Sequence, residues 1–266
     1  TVYQKRGEAD KQKALVEQLR SAYGRGVVPA QRVDGVAQVL ADPELVAQGG
    51  GKTDEGTAQQ MLEQIAPTYP AAWVSLAQLL YNYPELGDID KMLTYLKNGR
   101  DAAQPRAELL LGKLYYEGKL LPADPQKAEE HLLKASASEV SANYYLGQMY
   151  RRGYLGQVQP QQALDRLLAA ARGGQNSADF ALAQMFSQGR GIQPDPVNAW
   201  VFSQIAVQKG TAQAPELAAQ IDQQLPPASR PQAQRLLQQE QALRGATLQQ
   251  ASQMQAMQNQ DGQEPL

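Results

Sequence analysis

Three consecutive stretches of this 266-residue chain superimpose on one another at offsets of 35 and then 36 residues. Ala107, Leu111, Gly112, Tyr115, Gly118, Ala128 and Ala135 fall over Ala142, Leu146, Gly147, Tyr150, Gly153, Ala163 and Ala170. These in turn fall over Ala178, Leu182, Ala183, Phe186, Gly189, Ala199 and Ala206. A period of this length is one supersecondary unit, too small to bury its own apolar face, so each copy needs a neighbour to stack on. That predicts an array of helix pairs, and it directs the search for function to a surface before a pocket.

Within the clearest copy, apolar residues at 107, 110, 111, 114 and 115 have the spacing of one helical face, here called helix A. Gly118, Gly153 and Gly189 follow it, where a residue free to adopt positive φ closes a helix. Asp124-Pro125, Gln159-Pro160 and Asp195-Pro196 then open helix B, with an N-cap followed by a proline whose missing N–H costs nothing at the first helical position. The small residue at 112, 147 and 183 lets helix B approach closely. The aromatic at 115, 150 and 186 fills the space beside it, a burial that contributes on the order of 2 to 3 kcal/mol.

Upstream the pattern loosens. Leu76-Ala77 precedes Leu111-Gly112 by one period, Gln59 to Ala66 reads as a second helix after a short segment at Asp42 to Gln48, and Asp10 to Leu40 reads as the earliest unit. The expected division is divergent helical repeats over 1–70 and regular repeats over 71–212, with units near 72–106, 107–141, 142–177 and 178–212. Gln-rich capping helices follow over 213–257, and a disordered tail over 258–266.

A net charge of −2 gives no basic field to draw the chain onto nucleic acid. No run approaches 18 apolar residues. The start, Thr1-Val2-Tyr3-Gln4, has neither an initiator Met nor a signal-peptide pattern and reads as a cut from a longer chain. With zero cysteines, disulfides and thiol chemistry are excluded together.

The run Ala-x3-Leu-Gly-x-Leu-Tyr-x2-Gly, then Asp-Pro-x-Lys-Ala and a closing Ala seven residues on, resembles the Sel1-like subclass of tetratricopeptide (TPR) repeats. Gln64-Ile-Ala-Pro-Thr-Tyr-Pro70, Trp73-Val-Ser-Leu-Ala-Gln-Leu-Leu80 and Pro84-Glu-Leu-Gly-Asp88 are similar to the family of repeat lipoproteins that serve bacterial alginate export. The resemblance implies an all-α fold, a right-handed solenoid of stacked helix-turn-helix repeats. It also implies a non-enzymatic scaffold at the periplasmic face of the outer membrane, without cofactors. Its implied partners are the outer-membrane alginate porin and the alginate O-acetyltransferase AlgX, with alginate itself as an alternative ligand. An N-terminal lipid anchor is implied too, on a Cys this sequence does not contain.

Candidate sites divide between folding and function. Gly49-Gly50-Gly51-Lys52-Thr53 has the tail of a phosphate-binding loop, but Val46 replaces its first Gly, Asp54 and Glu55 follow, and no strand leads in, so an inter-helix loop is expected. His131 is the only histidine and lacks further ligands in the repeat, which favours a packed or helix-face role. Glu129 and Glu130 point about 100° apart on a helix and read as a solvated face. Trp200 is either packed against the next helix or an exposed interface anchor. One side around from the buried stripe of helix A lie Leu109, Lys113 and Tyr116, with equivalents Tyr144, Gln148 and Arg151, and Arg152 adjacent. In TPR folds that stripe lines the concave surface, so Lys113, Tyr116, Tyr144, Gln148, Arg151, Arg152 and Trp200 are the candidate partner-binding residues.

Overall fold

The computed structural model describes residues 9–48 and 52–261. Among them all regular structure is helical, in two compact units, Thr1–Glu139 and Val140–Leu266. The first holds α1 (Ala9–Gly24), α2 (Ala30–Ala41), α3 (Pro43–Gln48), α4 (Glu55–Ile65), α5 (Ala71–Asn82), α6 (Ile89–Asp101), α7 (Pro105–Glu117) and α8 (Pro125–Ala135). The second holds α9 (Val140–Arg152), α10 (Pro160–Arg172), α11 (Asn176–Gln188), α12 (Pro196–Gln208), α13 (Ala214–Gln224) and α14 (Arg230–Asp261).

The pairs α7/α8, α9/α10 and α11/α12 carry the repeat, and their junctions are built alike. Gly118, Gly153 and Gly189 end helix A at φ of 67°, 72° and 63°, where any other residue is strained. The chain then turns so that the N–H groups of Asp124, Gln159 and Asp195 donate to the carbonyls of Tyr115, Tyr150 and Phe186. Asp124 and Asp195 accept from the N–H of Lys127 and Asn198 as side-chain N-caps, whereas Gln159 caps nothing with its side chain.

Helix B fits helix A at one slot. A Cβ at Gly112 would lie 2.6 Å from Leu132 Cγ, and one at Gly147 would lie 2.6 Å from Leu167 Cγ, a distance no real Cβ tolerates. In the third pair both members change. Ala183 stands where the glycines are and the buried Ser203 where the leucines are, so the added methyl faces a smaller partner. The aromatic on helix A meets the residue just before this slot. Tyr115 stacks on His131 and Phe186 on Phe202, each with ring centroids 5.8 Å apart, within the range that favours aromatic pairs.

Two sequence expectations are corrected. Residues 10–40 do not form the main first pair, nor does the Asp42–Gln48 segment pair with the helix after it. Instead α2 packs on α4, burying Val33, Ala37 and Leu40 opposite Ala58, Met61, Leu62 and Ile65. At six residues with one buried side chain, Val46, α3 is too short to present a stripe of its own. The second correction concerns the tail, expected to be disordered from 258: α14 continues through Asp261, carried by Ala, Leu, Gln and Met with Pro231 near its start. Residues 262–266 lie outside the described residues, as do Gly49–Gly51 of the phosphate-loop-like segment.

The slot generates a coupled prediction. Gly147→Ala costs about 1–3 kcal/mol by overpacking, and Gly147→Ala with Leu167→Ala costs less than the two single changes summed, because the second makes room for the first. Urea denaturation of the four proteins measures it; strict additivity contradicts the slot.

Candidate partner-binding surface

The position one residue after the first repeat alanine is polar in all three copies, and each is tied internally. Glu108 accepts from His131 Nδ1 at 2.6 Å and from Arg100 Nε at 2.9 Å. Asn143 accepts from Arg166 at 3.0 Å, and Arg166 is the register equivalent of His131. Asp179, with no exposed surface, accepts from Lys209 at 2.8 Å and from both terminal nitrogens of Arg244 at 2.8 and 3.1 Å. A carboxylate only accepts, so His131 carries its proton on Nδ1 and is a packing residue beside Tyr115. Burial pushes the Glu108 carboxyl up, but the hydrogen bonds from His131 and Arg100 outweigh it and hold it below the usual carboxylate range.

Asp179 belongs to a network that sequence reasoning missed. Arg244 also holds Glu240 at 3.1 Å, and Glu240 is gripped by Arg172 through two bonds of 3.1 Å. Helices α10, α11 and α14, with Lys209 at the residue that caps α12, are thereby joined by alternating charges, and the Arg244 guanidinium lies 6.0 Å from the Phe202 ring centroid. Burial lowers the Arg244 pKa, but Asp179 and Glu240 raise it further, so the net direction is up. No local signal announces a pairing between residues 65 apart in the chain.

Of the two settings the sequence leaves open for Trp200, the structure takes the packed one, which removes it from the exposed partner-binding candidates. It is 7% exposed, donates from Nε1 to Asp222 of α13 at 3.1 Å, and has Arg230 6.0 Å from its ring centroid. Gln148 is corrected likewise: at 6% exposed it donates to the Tyr144 hydroxyl at 3.1 Å and accepts from Arg151, so its amide organises the stripe from beneath.

The remaining stripe residues have defined settings. In the first unit Lys113 lies 4.9 Å from the Tyr81 ring centroid and 3.8 Å from Glu117, and the Tyr81 hydroxyl donates to Glu117 at 2.6 Å. Tyr116 is half-buried beside them. In the second unit Arg151 donates to Gln148 and, at 3.1 Å, to Gln184 on α11. Tyr81 and Arg151 are register equivalents, as are Lys113 and Gln184, so one tie joins successive A helices in each unit. Tyr144 is half-buried, and the exposed Arg152 donates to the Tyr154 hydroxyl at 3.2 Å. The Arg151 pKa is lowered, first by burial and then by the neighbouring charges of Arg152 and Arg190, with Tyr144 acting the other way. Arginine stays charged under these conditions, so the shift marks a half-buried cation in a positive potential, bonded to neutral amides.

Among the described residues no three His, Asp or Glu side chains are grouped to hold a metal ion, and no helix is long and apolar enough to cross a membrane.

The AlgK tetratricopeptide repeat domain family matches residues 1–66, and the Sel1 repeat family matches 105–139, 140–174 and 176–210. The chain is 62% identical over 268 residues to the alginate biosynthesis protein AlgK of Pseudomonas syringae pv. tomato, a match covering 100% of this chain and 56% of that protein. To AlgK of Pseudomonas aeruginosa it is 67% identical over 245 residues, covering 92% and 50% respectively. The chain thus spans about half the length of the curated relatives it matches. A solved Sel1 repeat protein from Oxalobacter formigenes superposes with a TM-score of 0.60 over 85% of this chain and 99% of that one, at 21% identity, a likeness of fold alone.

The charge ties can be tested at both ends. Arg244→Leu leaves buried Asp179 with Lys209 alone and costs about 3 kcal/mol, with faster amide exchange in the Arg230–Arg244 half of α14; unchanged stability and exchange contradict the network. The depressed Glu108 carboxyl contributes stability that is present above the unfolded value of about 4.3 and lost as pH falls through its lower folded value. The melting-temperature gap between the parent and Glu108→Gln therefore narrows on acidification below about pH 4.3, and a gap that stays constant down to about pH 2 contradicts the assignment.

Proposed function

The chain is a homologue of the AlgK alginate biosynthesis proteins, carrying an AlgK tetratricopeptide repeat domain and three Sel1 repeats, and from that premise we propose that it is a non-enzymatic scaffold for alginate modification and export. It works at the periplasmic face of the outer membrane, holding the alginate O-acetyltransferase AlgX and the outer-membrane alginate porin through the polar stripe of its A helices. Helix pairs suit this task because packing within each unit sets the geometry of the surface it presents, over which several modest contacts add up.

Arg151 is the observation that carries the reading. It bonds to the amides of Gln148 and Gln184, and burial and neighbouring cations disfavour its charge, so an arriving carboxylate offsets both by direct attraction. Tyr144 and Tyr154 beside it add apolar area with polar tips, the composition of an interface anchor. The same group favours a second reading, in which the cations Arg151, Arg152 and Arg190 track the carboxylates of alginate itself, with the tyrosines against its sugar rings.

Charge reversal separates these readings from a merely solvated face. Arg151→Glu with Arg152→Glu weakens binding to the acetyltransferase or the porin at least tenfold in calorimetric titration, with helical content unchanged. If alginate oligomers bind instead, their affinity falls as salt rises from about 50 to about 300 mM and is lost in the double variant. Binding of all three ligands unaffected by the substitutions removes the stripe as the contact surface.

A further inference from the structure

The first unit departs furthest from the repeat between α2 and α4. In the three Sel1-type pairs seven residues join helix A to helix B, at 118–124, 153–159 and 189–195, whereas thirteen, 42–54, join α2 to α4. The additional length is used to form α3, which buries only Val46. A local insertion that contributes so little to the core calls for another use. Beside it lies a cleft of about 550 Å³, walled by α2, α3, α5 and the first turn of α7.

We propose that this cleft binds an extended peptide segment of a protein partner, one that carries a basic and an acidic side chain. The proposal rests on the scaffold reading only in taking the partner to be a protein. Leu62 and Leu79 supply apolar floor, and the carboxamides of Gln38, Gln78 and Asn82 line the cleft. A carboxamide donates and accepts at once, which matches the alternating N–H and C=O of an extended backbone. Gln78 and Asn82 make only a 3.4 Å contact with each other, so little is lost when a ligand replaces it.

Charge selects the ligand class. Arg106, exposed at the start of α7, has no hydrogen-bond or ion-pair partner among the described residues, and its guanidinium suits a carboxylate. On the α3 side the cleft carries Asp42 and Glu44; one Asp42 oxygen already accepts from the N–H groups of Glu44 and Leu45, while the Glu44 side chain is exposed. A polyuronate brings carboxylates alone and is repelled by that side. A peptide with one Lys or Arg and one Asp or Glu satisfies both signs, and its backbone satisfies the amides.

The test uses the 266-residue chain with ¹⁵N labelling and two probes. One is a set of N-acetylated octapeptides of alanine and serine in which a Lys and an Asp occupy every pair of positions; the other is a series of mannuronate oligomers. The proposal expects that some Lys/Asp peptides shift the side-chain NH₂ signals of Gln38, Gln78 and Asn82. Replacing their charged residues by Gln and Asn, or introducing Arg106→Gln or Glu44→Gln into the chain, weakens binding at least fivefold. Both positions are exposed, so the melting temperature stays put. Absence of any peptide-induced shift overturns the proposal, as does a response to mannuronate oligomers alone. Because neither probe is the acetyltransferase or the porin, such a failure leaves the scaffold reading standing, and loss of binding to those two proteins leaves this result standing.

Discussion

The close approach of a helix B leucine onto a helix A glycine is the constraint on which the repeats depend. With Leu132 and Leu167 Cγ 2.6 Å from where a Cβ would stand on Gly112 and Gly147, the two helices of a pair share one distance and one rotation. The aromatic three residues along helix A then has a defined place beside helix B, which Tyr115 and Phe186 occupy by stacking. The third pair keeps the geometry by exchanging volume across the slot, Ala183 against Ser203, which is why a lost glycine there does not end the array.

Once the slot sets the pair, the side chains left over divide by where they point. Those facing the neighbouring helix become internal ties: Glu108 to His131 and Arg100, Asn143 to Arg166, Asp179 to Lys209 and Arg244. The last recruits α14, so the polar end helix is held by charge pairs and not by a broad apolar stripe. Of those one step around helix A, Lys113, Tyr116, Tyr144 and Arg151 remain half-exposed, and there Arg151 meets the neutral amides of Gln148 and Gln184. A buried tie satisfies the fold alone, whereas a half-buried Arg151 in a positive potential, bonded to neutral amides, would be stabilised further by an added carboxylate.

How much of this was legible in the sequence follows from the range of each interaction. Gly118, Gly153 and Gly189, and the Asp-Pro starts of α8 and α12, are local devices whose residue types announce their conformation, and the stacked helix pairs are legible from their period. The α2/α4 pairing was not, because a six-residue helix intervenes and periodicity cannot say which flanking helix a core face meets. Gln148 is placed on a surface by its position and Trp200 is left between packing and exposure, because their burial depends on Asp222, Arg230 and Tyr144, partners that no repeat position encodes. The α14 network is invisible for the same reason: Asp179 and Arg244 are 65 residues apart, and only the third copy has an end helix to meet.

Folding, in this account, consumes the A-to-B interface and leaves the A-helix stripe for partners. Hydroxyl-radical footprinting of the chain, free and bound to the acetyltransferase, reads that division directly, since it reports side-chain exposure residue by residue. The account predicts slower oxidation of Tyr116, Tyr144 and Tyr154 in the complex, with Leu133 and Val207, exposed on the helix B side, unchanged. Protection of Leu133 and Val207 with the three tyrosines unaltered would contradict it.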